Sequence, residues 1–270
     1  MAEMTSLGLL GCGHMGGALV RGAMSAKLLK PEHISIFDPD PAATRPLEAL
    51  GCRAAASPLE VLQNSQVIVL AIKPQIFSKL APEWKAAFSA LPEKMVISVM
   101  AGIRSMRIRE VFPVNCKVIR VMPNLGLSVG EGGTAIAVDG LAESSLQTVE
   151  ALFRASGITA RVSEDQLDAV TGISGSGPMY VFEFVEAMTE AGVRCGLARE
   201  TAYALVKQTL RGSLALLENS KETPSDWTKK VCSPGGTTER ALGVLNAQGF
   251  KELLAQAVRK ATERSKELSS

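Results

Sequence analysis

Short apolar runs alternate with segments of helical periodicity in the first part of the chain. The runs are Leu7–Leu10, Ile34–Phe37, Val67–Ala71, Met95–Val99, Val118–Val121 and Ala135–Val138. The helical segments between them include Met15–Ala26, Pro41–Leu50 and Ser105–Phe112, and Ser57 and Glu60 have the spacing of a capping box before a further short helix. Because two parallel strands need a crossover between them, this alternation predicts a doubly wound α/β domain with a parallel sheet.

The strand pattern stops after about residue 163, and apolar residues then recur at helical spacing. They include Val181, Phe184, Val185 and Met188, then Tyr203, Val206, Leu210, Leu214 and Leu217, and later Leu254, Ala257, Val258, Ala261 and Leu268. The pattern predicts an α/β domain over residues 1–162 and an all-helical domain over residues 163–270.

One helix of the second domain is apolar around most of its surface. The residues that encircle it are Leu205, Leu210, Leu214, Leu216 and Leu217. Such a helix needs burial on several sides, and a small helical domain offers too little interior for that. We therefore predict that this domain forms a homodimer; the alternative is a helix buried within one subunit.

Composition and charge argue against several classes of protein. Lys and Arg number 29, Asp and Glu 27, and aromatic residues make up only 4%, with no basic stripe, so a nucleic-acid partner is not expected. No apolar stretch approaches the roughly 20 residues that span a bilayer, and the N-terminus lacks the features of a signal peptide. We expect a cytoplasmic protein without a membrane partner; an organelle is the alternative if a transit peptide has been removed.

The cysteines and histidines do not form a metal-binding pattern. The 5 cysteines are widely spaced without a CxxC pair, which is typical of reduced thiols in a reducing compartment. The only histidines are His14 and His33, and no HxxxH or Cys/His cluster is present. We therefore expect no metal site.

The segment Gly11–Gly16, GCGHMG, directly follows the first predicted strand and opens a helix. In that context Gly11 permits a tight turn, Gly13 lets the backbone approach a pyrophosphate, and Gly16 lets the helix lie close to the strand. The helix N-terminus presents free N–H groups to the phosphates. The segment predicts a Rossmann domain that binds a dinucleotide; a tight turn without a ligand is the alternative. The residues expected at the cofactor are Gly11, Gly13, His14, Met15 and Gly16.

Asp38 ends the second predicted strand, 22 residues after Gly16. A carboxylate there usually accepts hydrogen bonds from the adenosine ribose of NAD, and it would repel the 2′-phosphate of NADP. The alternative is an Asp that caps a turn, since Asp38–Pro41, DPDP, is typical of one. Arg45 lies nearby and is a candidate partner of that phosphate, so the preference between NADH and NADPH stays open.

Two further segments, Ala71–Gln75 and Ser98–Gly102, leave predicted strands at their carboxyl ends, where ligands bind in such sheets. Lys73 follows a buried strand and precedes Pro74, which favours a place beside the cofactor over that of an ordinary surface lysine. The cofactor residues predicted here are Ala71, Ile72, Lys73, Pro74 and Ala101.

Two segments of small residues, Ile173–Tyr180 and Val231–Thr238, each lead into a helical pattern. Exposed N–H groups on such loops can bind an anion, and each hydrogen bond to a charged group contributes about 1.5–3 kcal/mol. Two or three could hold a small carboxylate without an arginine. The alternative for either segment alone is a plain start of a helix, with Pro178 near its first turn. Two such segments beside a dinucleotide domain favour substrate binding.

From Leu7 to about Leu268 the chain resembles the pyrroline-5-carboxylate reductases. The motifs that carry the resemblance are Gly11–Gly16, Ile72-Lys73-Pro74, Arg120-Val121-Met122-Pro123-Asn124, Ser174-Gly175-Ser176-Gly177-Pro178 and Cys232-Ser233-Pro234-Gly235-Gly236-Thr237-Thr238. The last of these is the most specific.

The resemblance implies reduction of 1-pyrroline-5-carboxylate to L-proline by NAD(P)H, the final step of proline biosynthesis. It implies a homodimer with interlocked helical domains, a substrate pocket near the dimer interface, and rings of dimers in some members. Related enzymes usually prefer NADPH, and many accept NADH. The second threonine, here Thr238, is implied to lie near the ring nitrogen. The implied substrate residues are Ser176, Gly177, Ser233, Gly235, Gly236, Thr237 and Thr238, with Ser233 and Thr238 as the catalytic pair, and Asn124 joins the cofactor residues.

The chain departs from the family pattern at four places. His14 stands where Asn or Gln is common, Leu125–Leu127 replaces a frequent Thr-Pro-Ala, and Thr223 stands where many relatives carry His. Asp38 replaces a small polar residue often found beside the adenosine ribose, which weakens the expectation of NADPH.

Two other functions share the glycine loop. A β-hydroxyacid or 2-hydroxyacid dehydrogenase needs a Lys or His facing the nicotinamide. Lys207 is the only lysine between Gly177 and Leu217, without the surrounding motif of that family, and no histidine follows His33. A non-catalytic NAD(P)H sensor would bind without turnover, and the Ser-Pro-Gly-Gly-Thr-Thr segment argues against it.

Overall fold

The computed structural model describes residues 4–88 and 92–269, and within them one sheet of eight strands organises the first part of the chain. The strands are β1 (Leu7–Leu10), β2 (Ile34–Phe37), β3 (Arg53–Ala54), β4 (Val67–Leu70), β5 (Met95–Ser98), β6 (Lys117–Met122), β7 (Gly132–Ala137) and β8 (Gly157–Val162). They pair in the order β3-β2-β1-β4-β5-β6-β7-β8.

The first six strands run parallel, and the last two run against them. β7 pairs antiparallel with β6, and β8 pairs parallel with β7. Residues 123–131, between β6 and β7, are too few for the crossover of a dozen or more residues that a parallel pairing needs. The predicted doubly wound sheet is therefore confirmed, with the direction of its last two strands reversed.

By its contacts the chain divides into two compact units. The first contains the described residues up to Ser176 and those from Lys260 onwards, and the second is Gly177–Arg259. The helices of the first unit are α1 (His14–Ser25), α2 (Pro41–Glu48), α3 (Pro58–Asn64), α4 (Pro74–Phe88), α5 (Ser105–Arg109), α6 (Glu143–Arg154) and α7 (Leu167–Val170). Short 3₁₀ turns lie at Pro31–His33, Leu125–Val129 and Glu164–Gln166, and a π-helical turn at Thr171–Gly175 follows α7.

The second unit is helical throughout. Its helices are α8 (Gly177–Arg194), α9 (Arg199–Glu218), α10 (Pro224–Val231) and α11 (Thr237–Ala247), and α12 (Phe250–Ser269) begins in it and ends in the first unit. The predicted helical periodicity of this region is confirmed. β8 ends at Val162, and the predicted domain boundary after that residue stays a prediction. No helix in the described part of the chain is long and apolar enough to cross a membrane.

Both faces of the sheet are buried. Leu7 and Leu9 belong to one apolar cluster and Leu10 to another, and the residues of β4 alternate between the same two clusters. A strand covered on both sides needs apolar residues at every position, which is why these strands appear in the sequence as continuous apolar runs.

The structure contains elements that the sequence pattern does not predict, namely β3, β8, α4 and α6. β3 is only two residues long, and β8 lies at the edge of the sheet with no fully buried residue. Ile158 on β8 is 74% exposed, so burial imposes no apolar run there. The predicted capping box before α3 forms only in part: Ser57 Oγ accepts from the Glu60 N–H at 3.2 Å, but the Glu60 carboxylate accepts from Ala56.

Candidate functional site

The strand order reverses between β1 and β4, at the middle of the sheet. The chain builds outward through β2 and β3 on one side and through β5 and β6 on the other. In open α/β sheets, ligands bind at the carboxyl ends of the strands beside such a reversal. The segments that leave the sheet there are Gly11–Gly16 after β1 and Ala71–Pro74 after β4.

The three glycines of the loop after β1 meet three different demands. Gly11 has a φ of +98°, and a Cβ on it would lie 2.4 Å from the carbonyl oxygen of Ala71. A Cβ on Gly16 would lie 2.2 Å from the carbonyl oxygen of Gly11. A Cβ on Gly13 would meet none of the described atoms within 4 Å. The backbone of the protein itself requires Gly11 and Gly16, whereas the space beside Gly13 is free for a ligand.

α1 starts beside that free space. Gly13 is its N-cap, and no side chain of the described residues caps its first turn. The first N–H groups of a helix have no partner within the helix and carry a partial positive charge. His14 is exposed there and Met15 is half-buried. An uncapped helix end next to an open glycine fits the phosphates of a dinucleotide.

The Asp38 carboxylate is tied to the glycine loop. Its Oδ2 accepts from the Cys12 N–H at 2.8 Å and its Oδ1 from the Asp40 N–H at 3.0 Å. Asp40 in turn caps α2 by accepting from the Ala42 N–H at 2.9 Å. Asp38 therefore does stabilise the turn, as its alternative role predicts, and its contact with the cofactor ribose stays a prediction. Burial, with a smaller contribution from Asp38, raises the pKa of the Cys12 thiol to about 12, so this thiol stays protonated at neutral pH.

A cavity of about 380 Å³ opens at the carboxyl ends of β4, β5 and β6. That volume is within the range of small-molecule sites. Of the predicted cofactor residues, the cavity wall includes Met15, Ala71, Ile72, Lys73, Pro74, Ala101 and Asn124. The others, Gly11, Gly13, His14, Gly16 and Asp38, lie in or beside the glycine loop. The wall also includes Val99, Met100, Met122, Pro123, Leu125 and Gly175. These residues lie in segments that the sequence analysis names, but they are not among the predicted cofactor residues.

Asn124 organises the cavity wall through three hydrogen bonds. Its Oδ1 accepts from the N–H groups of Gly126 at 3.1 Å and Gly133 at 3.2 Å, and its Nδ2 donates to Ser174 Oγ at 3.2 Å. The amide thus ties the end of β6 to β7 and to the π-helical turn. Sequence reasoning missed Ser174 in this role, and its place in the Ser-Gly-Ser-Gly-Pro motif was the available signal.

The sequence predicts a loop at Ile173–Ser176, but in the structure this segment continues a helix. Thr171–Gly175 forms a π-helical turn, and the Ser176 N–H donates to the carbonyl oxygen of Thr171 at 2.8 Å. That N–H is therefore engaged within the turn and does not face an open cradle. Single π-helical turns within helices occur frequently at functional sites. Gly177 is the first residue of α8.

In the second unit, the segment Ser233–Gly236 is a turn that leads into α11. Gly235 has a φ of +72°, and the Gly236 N–H donates to the Ser233 carbonyl oxygen at 2.9 Å. A Cβ on Gly236 would lie 2.4 Å from Ser233 Oγ and 3.0 Å from the Ser233 carbonyl oxygen, so a larger residue there would have to turn the Ser233 hydroxyl away. Thr237 and Thr238 are the first two residues of α11, and both are exposed.

One main-chain N–H of this turn already donates to a side-chain carboxylate. Glu239 Oε2 accepts from the Gly235 N–H at 2.7 Å. A glutamate in the first turn of a helix often reaches back in this way to the backbone before the helix. The contact shows that a main-chain N–H of this turn can bind a carboxylate.

No group of three or more His, Cys, Asp or Glu side chains among the described residues could hold a metal ion.

Two protein families match different parts of the chain, one the α/β part and the other the helical part. Residues 164–268 match the family described as pyrroline-5-carboxylate reductase dimerisation. Residues 6–102 match the family described as NADP oxidoreductase, coenzyme F420-dependent. The helical region thus carries the dimerisation domain of one named family.

Individual relatives cover almost the whole chain. A pyrroline-5-carboxylate reductase of Synechocystis sp. is 37% identical over 97% of this chain and 97% of its own. The structure of a pyrroline-5-carboxylate reductase from Coxiella burnetii has a TM-score of 0.89 at 30% identity, covering 99% of both chains. That of the Plasmodium falciparum enzyme, with NADP bound, has a TM-score of 0.87 at 31% identity, again covering 99% of both chains. The predicted resemblance is confirmed, and the chain belongs to the pyrroline-5-carboxylate reductases, a family of NAD(P)H-dependent oxidoreductases.

Proposed function

We propose that this chain reduces 1-pyrroline-5-carboxylate to L-proline with NADPH or NADH, the final step of proline biosynthesis. The observation that carries the proposal is the match to a pyrroline-5-carboxylate reductase over 97% of both chains. The free space at Gly13 and the cavity at the carboxyl ends of β4, β5 and β6 support it. So does the NADP in the structure of the Plasmodium relative.

The first unit holds the dinucleotide in this proposal. The bound cofactor supplies the hydride. The uncapped N–H groups at the start of α1 bind its phosphates, with Gly13 leaving room for them. Ala71–Pro74, Ala101 and Asn124 border the reacting end, and the apolar side chains among them exclude water from it.

The second unit supplies most of the substrate contacts. Main-chain N–H groups of Ser233–Thr238 hold the carboxylate, as the Glu239 contact with Gly235 illustrates. The Thr238 hydroxyl hydrogen-bonds the ring nitrogen and orients the C=N bond, with the Ser233 hydroxyl assisting. Ser176 and Gly177 shape the wall. An iminium accepts hydride far more readily than a neutral imine, and a substrate that arrives protonated needs no dedicated acid.

We further propose that the helical domain forms a homodimer, with a ring of dimers as the larger assembly. In the single chain Leu205 is 56% exposed, Leu214 59% and Leu216 49%, although a helix so apolar requires cover. The match of residues 164–268 to a dimerisation family supports a second copy as that cover. Light scattering that gives a strict monomer at micromolar concentration would refute the dimer.

The proposal places the domain boundary after residue 162 and the protein in the cytoplasm. The end of the last strand at Val162 and the start of the dimerisation match at residue 164 support that boundary. Limited proteolysis of the full chain, with the cleavage sites mapped relative to residue 162, would test the boundary, and cell fractionation would test the location.

The residues present argue against both alternative functions. A hydroxyacid dehydrogenase needs a lysine at the nicotinamide, whereas the exposed Lys207 extends over the ring of Tyr203, with its Nζ 4.3 Å from the ring centroid. A sensor has no need of a substrate turn such as Ser233–Thr238.

One assay separates these readings. Oxidation of NADPH and NADH is followed at neutral pH with 1-pyrroline-5-carboxylate, with its six-membered homologue, and with a β-oxo acid as the dehydrogenase control. Turnover with the five-membered imine supports the proposal. Dinucleotide binding without turnover of any substrate supports a sensor and refutes the reductase.

The Asp38→Ser substitution should shift the cofactor preference toward NADPH by about tenfold, because it removes a charge that repels the 2′-phosphate. Asp38→Asn is the matched control: it keeps an acceptor for the Cys12 N–H but lacks the charge. Both variants should shift the ratio of kcat/KM for the two cofactors. A shift in the serine variant alone would mean that loosening of the glycine loop, not charge, is responsible.

The Glu239→Gln substitution should lower KM for the imine by about fivefold. A neutral side chain holds the Gly235 N–H less strongly than a carboxylate and no longer repels the substrate's carboxylate. Glu252→Gln, which removes an exposed carboxylate paired with Arg259 on α12, is the control and should leave KM unchanged. A rise in KM for Glu239→Gln would show that the glutamate supports the turn instead of competing with substrate.

A further inference from the structure

One wall of the cofactor cavity is formed by the connection between β5 and α5, which its own local contacts do not hold in place. Residues 99–104 join β5 to α5 and contribute Val99, Met100 and Ala101 to the cavity. α5 has only 5 residues, and the side chain of its N-cap, Arg104, makes no capping hydrogen bond. Such a short helix is not stable by itself. The position of this wall therefore depends on contacts from other parts of the first unit.

Glu164 supplies the missing cap from 59 residues away. Its Oε1 accepts from the Ser105 N–H at 2.7 Å, and its Oε2 accepts from the Ser105 hydroxyl at 2.6 Å. Burial by itself raises the pKa of Glu164, but the bonds from Ser105 and Arg120 outweigh it, so the pKa lies below its usual value. The group is therefore a carboxylate at neutral pH, the form that accepts both bonds.

Arg120 holds that carboxylate in place. It lies on β6 with only 6% of its side chain exposed, and its Nη1 donates to Glu164 Oε1 at 3.1 Å. Its Nε has no partner among the described residues. A buried guanidinium needs its counter-ion, because the cost of leaving either charge unpaired is high. The buried arginine thus limits where the Glu164 carboxylate can go.

A second support reaches the same connection from α12. Gly102 has a φ of +75°, and a Cβ on it would lie 2.8 Å from the Cβ of Leu268. Ser265, one turn earlier on α12, donates from Oγ to Asp168 Oδ1 at 2.6 Å, and both residues are buried. The connection is therefore hydrogen-bonded at Ser105 and lies close to α12 at Gly102.

We propose that Glu164 is a positioning residue for the reaction: clamped by Arg120, it fixes Ser105 and with it the cavity wall Val99–Ala101 against which the dinucleotide binds. Glu164 acts through Ser105 and is not among the residues that line the cavity. The inference rests on the proposed cofactor site and assigns that site a support, the Glu164–Ser105 contact, whose two residues lie outside the motifs that carry the family resemblance.

The test compares Glu164→Gln with Glu150→Gln. Glu150 on α6 is a buried carboxylate of the first unit, paired with Arg161 at 2.6 Å and Arg154 at 3.4 Å, and it is not among the residues that line the cavity. Each substitution breaks an ion pair that has one buried partner, Arg120 in the first case and Glu150 in the second, so both should lower Tm. Only Glu164→Gln should raise the Kd for NADPH and NADH, by about tenfold, or about 1.4 kcal/mol. Fluorescence titration of the reduced nicotinamide gives Kd, and kcat at saturating cofactor should change little.

Ser105 gives a second route if Glu164→Gln does not fold. Ser105→Ala removes one of the two bonds and should raise Kd, whereas Ser105→Thr keeps the hydroxyl and should restore it. Equal Kd values for Glu164→Gln and Glu150→Gln, or for Ser105→Ala and the wild type, would overturn the inference while the proposed function stands. A wild-type protein that binds neither dinucleotide would overturn both, and the proposed function would be the first to fail.

Discussion

The Gly13→Val substitution is expected to weaken binding of NADPH and NADH by at least about 100-fold while leaving the chain folded. Valine at this position would occupy the space beside the start of α1, where a Cβ meets none of the described atoms within 4 Å. The loss of two main-chain hydrogen bonds to phosphate, each contributing about 1.5–3 kcal/mol, accounts for a change of that size. Gly13 has a φ of −64°, which an L-amino acid readily adopts, so the backbone itself should not be strained.

Fluorescence titration measures the change in Kd, and circular dichroism on heating measures the stability. Gly16→Val provides the contrast, because its Cβ would lie 2.2 Å from the Gly11 carbonyl oxygen and must displace backbone. That variant should lose Tm as well as binding. A Kd for Gly13→Val within a few-fold of the wild-type value would show that the phosphates bind elsewhere.

The Thr238→Ala substitution is expected to lower kcat for the imine by about 100-fold without changing dinucleotide affinity. A group that orients or protonates the reacting atom typically contributes about 10²–10⁴ in rate. Thr238 is the second residue of α11 and is exposed, so removal of its hydroxyl leaves no buried polar group without a partner. Stability should therefore be retained, and the loss should appear in turnover.

Two neighbouring variants make this result specific. Thr238→Ser keeps the hydroxyl and should retain most of the activity, whereas Thr237→Ala removes the adjacent hydroxyl and should affect mainly KM. Steady-state kinetics at saturating cofactor distinguishes the three. Wild-type kcat in Thr238→Ala would remove this hydroxyl from the mechanism and leave the main-chain N–H groups as the sole contribution of the turn.

The local sequence pattern is sufficient to predict an element where burial or periodicity constrains every residue of the segment. The central strands are covered on both faces, and so they appear as unbroken apolar runs at Leu7–Leu10 and Val67–Leu70. The glycine spacing at Gly11–Gly16 follows from backbone contacts within the loop and with the next strand. β8 is exposed at the edge of the sheet, so its sequence is not an unbroken apolar run. The antiparallel direction of β7 depends more on the length of the connection between β6 and β7 than on the residues of β7.

The candidate site divides along the same line. The sequence alone determined the doubly wound sheet, the helical second half, the place of the glycine loop and the family motifs, because each is recorded in consecutive residues. The contacts of Asp38 with Cys12 across 26 residues, of Asn124 with Ser174 across 50 and of Glu164 with Ser105 across 59 depend on the folded arrangement of the sheet. The choice of partner for a polar side chain depends on which strand ends the folded sheet brings side by side, and no local periodicity encodes that.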